Sequence, residues 1–273
     1  MSVTNEAAKL SAFARRDLKV MLSYRAAAVA GFVGIAAQAL VFSFIGKLVD
    51  PSRLPSYGAT HTTYMAFVTV GIGLNMVVVL MLHQVATAMR TEQLIGTLES
   101  LLATPTAVFT LQAGSAVFEL LYVPIRFGLF VGVIGLVFGL HFHPSGIIPS
   151  LVVLIAFLPF VWGLGLISAG AIITFRRGSG AVAIGGTVLG LTSGAFFPLA
   201  LLPHWLQTIA KANPLAIAIR ALREALIGGL GWQSVASDLP ELAVLSIIAL
   251  VAGMLAFQIA LNRERRHGTL GLY

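Results

Sequence analysis

The stretch Ile147–Phe175 reads IIPSLVVLIAFLPFVWGLGLISAGAIITF and contains no charged side chain. A helix that crosses a bilayer needs roughly 20 mostly apolar residues, and this run exceeds that length. A buried helix of a soluble domain is rarely so long and so uniformly apolar. The stretch therefore predicts a membrane-spanning helix, and the rest of the chain has to be interpreted around it.

The overall composition agrees with a membrane protein. Of 273 residues, 58% are hydrophobic and only 10% are charged, whereas soluble domains carry roughly 25% charged residues. The chain has no cysteine, which excludes disulfides, thiol catalysis and cysteine metal sites. The net charge of +7 does not indicate nucleic-acid binding, because the cationic residues stand at the ends of apolar runs, as membrane-flanking residues do.

Six apolar runs are long enough to predict spanning helices. They are Ala26–Gly46, Tyr64–Ala88, Val108–Leu140, Ile147–Phe175, Ala181–Pro198 and Leu242–Leu261. The runs are continuous and lack the alternation of barrel strands, so each is predicted to satisfy its backbone within a helix. The sequence thus predicts an all-α integral membrane protein with six transmembrane helices, forming one domain over residues 1–273.

The distribution of Lys and Arg predicts that both termini lie in the cytoplasm. With that orientation eleven cationic residues lie inside: Lys9, Arg15, Arg16, Lys19, Arg25, Arg90, Arg176, Arg177, Arg263, Arg265 and Arg266. Five lie outside: Lys47, Arg53, Lys211, Arg220 and Arg223.

Two segments outside the spans are predicted to lie in or on the membrane. Residues 5–25 place apolar side chains at helical spacing, which favours an interfacial helix on the inner surface over a solvated tail. Residues 199–229 are semi-apolar and are broken by Pro203, Pro214 and the pair Gly228–Gly229. We expect two short helices there that dip into the outer leaflet, which requires protein to cover their ends.

The third predicted span contains two ionisable residues, Glu119 and Arg126. Each costs roughly 2.5–3.5 kcal/mol at a helix centre on insertion scales. They lie about 10 Å apart along a helix axis, which argues against a direct ion pair. They could line a polar substrate path, or Glu119 could lie near the inner interface because this run is longer than the bilayer requires.

Other motifs carry less information. Gly128-x-x-x-Gly132 and Gly186-x-x-x-Gly190 predict close helix contacts without indicating a substrate. His141-x-His143 could bind a metal, but two ordinary loop histidines are favoured. The Gly46–Lys47 pair is followed by Leu48, so it is not a phosphate-binding loop. We therefore expect no catalytic, cofactor or metal site in this chain.

The segment 90–105 on the predicted inner side is amphipathic. Leu94, Leu98, Leu101 and Leu102 form one apolar stripe. Such a helix could lie on the membrane, or it could present a rigid face to a partner's groove.

Two motifs resemble those of ABC-2-type permeases, the membrane subunits of a class of ABC transporters. The inner motif is matched by Glu92, by Gly96-Thr97-Leu98-Glu99 and by Thr104–Pro105. The outer motif is matched by residues around the start of the segment 199–229 and within it: Phe196, Phe197, Pro198, Leu202, Pro203, Trp205, Leu206, Asn213, Pro214 and Leu215. Their order and the six spans fit the family, so the resemblance covers nearly the whole chain.

The resemblance implies a permease for an ATP-driven exporter that moves a drug, lipid or other amphiphile. It implies that a separate ABC ATPase subunit binds ATP and Mg²⁺, and that a second permease copy completes a homodimer in the inner membrane. It also implies that the segment 90–105 is a coupling helix, with its contacts to the ATPase made by Glu92, Gly96, Thr97, Leu98, Glu99, Leu102 and Pro105. An ion-gradient-driven secondary transporter is the alternative, but it should show ionisable residues near the midplane of broken helices.

Overall fold

The computed structural model describes residues 34, 37, 40–42, 44–46, 54–57, 62–95, 108–175 and 179–267. The backbone alone is described at 83–95, 108–119 and 264–267, and at 121, 173, 175, 179 and 181. The predicted interfacial helix at 5–25 and most of the first predicted span lie outside the described residues.

The elements of the described chain are helices. In chain order they are α1 (Tyr64–Ile95), α2 (Val108–Phe138), α3 (Ile147–Phe175), α4 (Ser179–Leu191), α5 (His204–Lys211), α6 (Pro214–Leu226) and α7 (Trp232–His267). Short 3-10 turns at Pro144–Gly146 and Leu199–Leu201 precede α3 and α5. The predicted all-α class is therefore confirmed.

Among the residues that the structure describes, three stretches are long and apolar enough to cross a membrane: Tyr64–Leu82, Pro144–Ile172 and Trp232–Arg263. Tyr122–Phe138 and Val182–Leu191 are shorter apolar helices. Many large apolar side chains face outward, and Leu136 of α2 is 87% exposed. A protein surface dominated by such side chains needs lipid as its solvent. The chain is a multi-pass membrane protein.

The observed helix bounds agree with the predicted ones for α3 and differ from them for α1 and α7. The predicted run Ile147–Phe175 coincides with α3. By contrast, α1 continues seven residues beyond the predicted end at Ala88, and α7 begins ten residues before Leu242. Glu92 therefore belongs to the last turn of α1 rather than to a separate inner helix.

The prediction of one helix over Ala181–Pro198 is wrong at its C-terminal end. Helix α4 has 13 residues and ends at Leu191, so it is about 20 Å long at the usual rise. Beyond it the chain turns through Gly194, whose φ of +70° favours glycine. The side chain of Ser193 supports the turn by donating to the Gly190 carbonyl and accepting from the Ala195 amide.

The contacts fix the relative directions of the helices. Gly163 of α3 packs on Ala249 of α7, and Gly170 packs further along on Phe257, so α3 and α7 run parallel. Going forward along α4, Gly186 contacts Leu82 and Gly190 contacts Asn75, so α4 runs antiparallel to α1.

The core lies where α1, α3 and α6 meet. It contains large fully buried side chains from each of them: Phe67, Leu74 and Met81 of α1, Phe157 of α3, and Leu215, Ile219 and Leu222 of α6. Helix α6 is thus an internal element, enclosed by the longer helices. It lies at the end of the bundle where α1 begins, which we call the Tyr64 end.

Candidate functional site

The residues predicted to contact an ATPase fall mostly outside the described chain. Gly96, Thr97, Leu98, Glu99, Leu102 and Pro105 all lie between α1 and α2 in the undescribed residues 96–107. Glu92 is placed near the C-terminal end of α1, where the backbone alone is described. The predicted coupling helix therefore stays a prediction.

The two ionisable residues of the third predicted span both lie in α2. Arg126 is partly buried, and its guanidinium lies 4.8 Å from the centroid of the Tyr122 ring. A cation over an aromatic face gains roughly 0.5–2 kcal/mol, which offsets part of the desolvation cost of an arginine in an apolar helix. At Glu119 the backbone alone is described, so a substrate path along these residues stays a prediction.

The predicted outer segment does form two short helices, as the proline positions indicate. Pro203 is the residue before α5, and Pro214 is the first residue of α6, where a missing amide proton has no cost. Trp205 of α5 is 65% exposed. Phe197 and Pro198 lie in the connection that follows α4, and the 3-10 turn begins directly after Pro198.

Asn213 joins α6 to the end of α4. Its side-chain oxygen caps α6 by accepting from the Leu215 amide at 3.0 Å. Its amide nitrogen donates to the Leu189 carbonyl and to the Thr192 hydroxyl, both at 3.0 Å. Because the residue is buried, all three bonds are shielded from water and hold the two helices in one register.

Arg223 is the most buried charged residue in the described part of the chain. We counted this residue among the cations on the outer side, and the structure shows that its side chain is enclosed between α6 and α1 rather than exposed to water. The Nε donates to the Phe67 carbonyl at 3.0 Å, and Nη2 donates to the Gly194 and Ala195 carbonyls at 2.9 and 3.2 Å. The guanidinium carbon also lies 3.5 Å from the centroid of the Phe67 ring.

The electrostatics of Arg223 follow from this burial. Desolvation lowers the pKa of Arg223 to about 10, while interaction with Tyr57 opposes the shift. The guanidinium is therefore still charged at neutral pH. Three backbone carbonyls and an aromatic face take the place of water around it, which is the compensation that a buried cation requires.

Gly71 of α1 lets the turn at 194–196 and the Arg223 side chain come close to the backbone of α1. A Cβ added to Gly71 would lie 2.3 Å from the Ala195 carbonyl oxygen and 2.5 Å from Nη2 of Arg223. On the same side, the Tyr64 hydroxyl donates to the Phe196 carbonyl at 3.2 Å. We call this set of contacts between α1, the turn at 194–196 and Arg223 the arginine joint.

Helix α6 also carries charges that reach the surface on its side towards α7. Arg220 makes a two-pronged ion pair with Asp238 of α7 at 2.7 and 2.9 Å, and the arginine side chain is about half exposed. The hydrogen bonds that Arg220 donates to the Asp238 carboxylate raise the pKa of Arg220. Burial raises the pKa of Glu224, one turn further along, and the charge of Asp238 adds to that effect.

These side chains form a network of hydrogen bonds and ion pairs that links α6 to its neighbours. Within the described ranges no three His, Cys, Asp or Glu residues are grouped as metal ligands would be. His143, one of the two candidate ligands, instead packs on Gly229, and its backbone amide donates to the Leu226 carbonyl. Sequence patterns missed Arg223, although a second arginine in a short and mostly apolar helix after an Asn-Pro cap was the available signal.

Comparison with known proteins places this arrangement in a family context. The family model for the ABC-2 type transporter matches residues 8–227. The match includes the whole inner motif and the outer segment through the end of α6. No curated protein matches the chain.

Proposed function

Because the chain belongs to the ABC-2 type transporter family, we propose that it is the membrane-spanning permease subunit of an ATP-driven exporter. Its cargo is a drug, a lipid or another amphiphile, and its energy comes from a separate ATPase subunit that binds ATP and Mg²⁺. The working unit contains two copies of the permease in the cytoplasmic membrane, with both termini inside. The observation that carries the proposal is the match over 220 of the chain's residues, 8 to 227 inclusive.

Several features of the chain support this proposal. The family is a transport permease rather than a catalytic domain, and the sequence contains no phosphate-binding loop of its own. The described helices alternate in direction. The start of α1 and the end of α4 meet at the Tyr64 end, where the Tyr64 hydroxyl donates to the Phe196 carbonyl. Helices α3 and α7 run parallel, so both begin at the same end of the bundle. Six crossings with both termini on one side would continue that alternation.

The site proposed to receive the ATPase is the segment 90–105. A displacement must enter the spans through a rigid inner element, and Glu92 belongs to a helix that continues to the opposite end of the bundle. Glu92 and Glu99 are suited to charge-assisted hydrogen bonds with a basic partner surface. The leucine stripe would pack in a groove of the same partner.

Co-purification tests the proposal directly. The permease is tagged and co-expressed with a candidate ABC ATPase subunit from the same organism, and bound ATPase and Mg²⁺-ATP hydrolysis are measured. We expect ATP turnover by the complex and none by the permease alone. Breaking one side of an interfacial charge pair costs roughly 2–5 kcal/mol, so Glu99→Lys and Leu98→Asp should lower ATPase binding at least tenfold.

A matched charge reversal separates this effect from a general one. Glu241→Lys changes an exposed carboxylate of α7, near the Tyr64 end, and should leave ATPase binding unchanged. Full binding and transport in both Glu99→Lys and Leu98→Asp would refute the coupling role. Transport that persists without any ATPase and follows an ion gradient would favour the secondary transporter instead.

A further inference from the structure

We propose that the arginine joint couples α1 to the outer helices, so that Arg223 is the positioning residue through which a displacement of α1 reaches α6. This inference rests on the proposed function, since it takes the ATPase to be the source of the displacement. It adds the last step by which a displacement of α1 reaches the outer helices, and neither the motifs nor the family match describes that step.

Helix α1 is suited to carry a displacement over a long distance. It is a single helix of 32 residues, about 48 Å at the usual rise. It contains no proline, whereas α2, α3 and α7 contain Pro124, Pro159 and Pro240. Prolines are the commonest cause of helix kinks, so α1 moves more nearly as one rod. Glu92 lies near one end of it and Phe67 near the other.

The joint fixes α6 to α1 more firmly than the apolar packing around it. Apolar contacts between helices tolerate small sliding movements, whereas hydrogen bonds lose strength quickly when their geometry changes. Arg223 donates to the Phe67 carbonyl of α1 and to two carbonyls of the turn that follows α4. These bonds are fully buried, so breaking them would leave charged and polar groups without water. A shift of α1 is therefore followed by α6 and by the turn.

Towards α7, α6 makes an ion pair that is more open to water than the joint. In the pair between Arg220 and Asp238 the arginine side chain is about half exposed, while the Asp238 side chain is 12% exposed. This asymmetry makes Arg220 a matched control for Arg223 on the same helix.

The absence of native cysteine allows a direct test of this movement. Ala218 lies on α6 and is fully buried, so a thiol in Ala218→Cys reacts with maleimide only when α6 leaves its resting position. The labelling rate is measured in the complex with its ATPase, with and without nucleotide trapped by vanadate. We expect trapping to change the rate about fivefold or more, the lower end of typical coupling between sites.

Two substitutions weaken the joint from opposite sides. Arg223→Lys keeps the positive charge, but lysine lacks the planar guanidinium that donates at once to carbonyls of α1 and of the turn at 194–196. Gly71→Ala keeps Arg223 and places a methyl group against Ala195 and the guanidinium. The labelling ratio is the faster of the two rates, with or without trapped nucleotide, divided by the slower. In either background we expect this ratio to fall to about 1. The control Arg220→Lys should keep the ratio of the Ala218→Cys parent.

The outcomes separate this inference from the proposed function. ATPase binding and hydrolysis are measured in every variant, and their loss in the parent would refute the proposed function together with the joint. If the Ala218→Cys parent hydrolyses ATP but its labelling ratio is about 1, the inference about the joint is refuted and the proposed function is not. A ratio that survives both Arg223→Lys and Gly71→Ala refutes the same inference. If Arg223→Lys fails to fold, Gly71→Ala decides the question. A purely structural role would lower thermal stability in the variants and leave the ratio unchanged.

Discussion

Gly163 of α3 and Gly253 of α7 are in direct backbone contact. A Cβ added to Gly253 would lie 2.3 Å from the Gly163 carbonyl oxygen, and one added to Gly163 would lie 2.3 Å from the Ala249 carbonyl oxygen. In lipid there is little hydrophobic force between helices, so close backbone approach of this kind supplies much of the attraction. The parallel pair α3–α7 is held together here.

Gly253→Ala should therefore destabilise the protein. The added methyl group meets backbone atoms rather than a flexible side chain, so the helices must separate, at a cost of about 1–3 kcal/mol. Thermal unfolding in detergent would show a lower midpoint. The matched control is Gly128→Ala in α2, where an added Cβ meets no atom of the described residues within 4 Å. Equal midpoints for the two variants would contradict the contact.

Asn213→Ala should loosen the connection between α4 and α6. The substitution removes a helix cap, worth about 1 kcal/mol, and removes the amide donor shared by the Leu189 carbonyl and the Thr192 hydroxyl, so we expect a total loss of about 2 kcal/mol. Gln207→Ala is the control, because its amide bonds to Leu202 at 2.8 Å but lies only partly buried. Chemical denaturation would be compared for the two variants, and a larger loss for Gln207→Ala would refute the assignment.

Glu224 should make stability depend on pH. Burial raises its pKa above the usual value of 4.5, so its contribution to stability is present below pH 4.5 and is lost as pH rises through the higher pKa of the folded state. At pH 7 Glu224→Gln should therefore melt at a higher temperature than the parent. The difference should disappear near pH 4. A variant that melts lower than the parent at pH 7 would show that ion pairing outweighs burial.

Cysteine labelling should place the two ends of the bundle on opposite sides of the membrane. Ser179 is the first residue of α4, just after the end of α3, and Ser237 lies near the start of α7. Because α3 and α7 run parallel, these positions belong to opposite ends. An impermeant maleimide added to intact cells should modify Ser237→Cys and spare Ser179→Cys. Modification of both from the same side would refute the six-span arrangement.

The parts of the fold that depend on local sequence were predicted well. The bounds of α3 follow from a proline and glycine before it and from Arg176 and Arg177 after it. The two breaks at Pro203 and Pro214 also act locally, because proline limits the residue before it and cannot donate to a preceding turn. In these places the neighbouring residues alone determine where a helix begins.

The parts that depend on distant contacts could not be predicted from one sequence. The end of α4 at Leu191 is set by the turn through Gly194, which packs on α1 more than a hundred residues earlier. The glycine pattern in α2 indicated a helix contact, yet nothing lies within 4 Å of a Cβ at Gly128 or Gly132 in the described chain. Gly163 and Gly253 make the close contact although neither belongs to a motif that we singled out.

Arg223 was misplaced for the same physical reason. A count of positive charges assigns every arginine outside a span to water, whereas this one is satisfied by the carbonyls of Phe67, Gly194 and Ala195. Those acceptors belong to residues that no spacing rule connects to position 223. Only the folded chain shows that the donor and its acceptors meet.

The same set of acceptors has a consequence for the order of biosynthesis. Phe67, Gly194 and Ala195 all precede Arg223 in the chain, so the ribosome has made every partner of the guanidinium before the arginine emerges. Asp238, the partner of Arg220, is made afterwards. Helix α6 can therefore be seated against α1 before α7 is synthesised, and the buried guanidinium of Arg223 does not have to wait for the last helix to be paired, whereas the half-exposed Arg220 does.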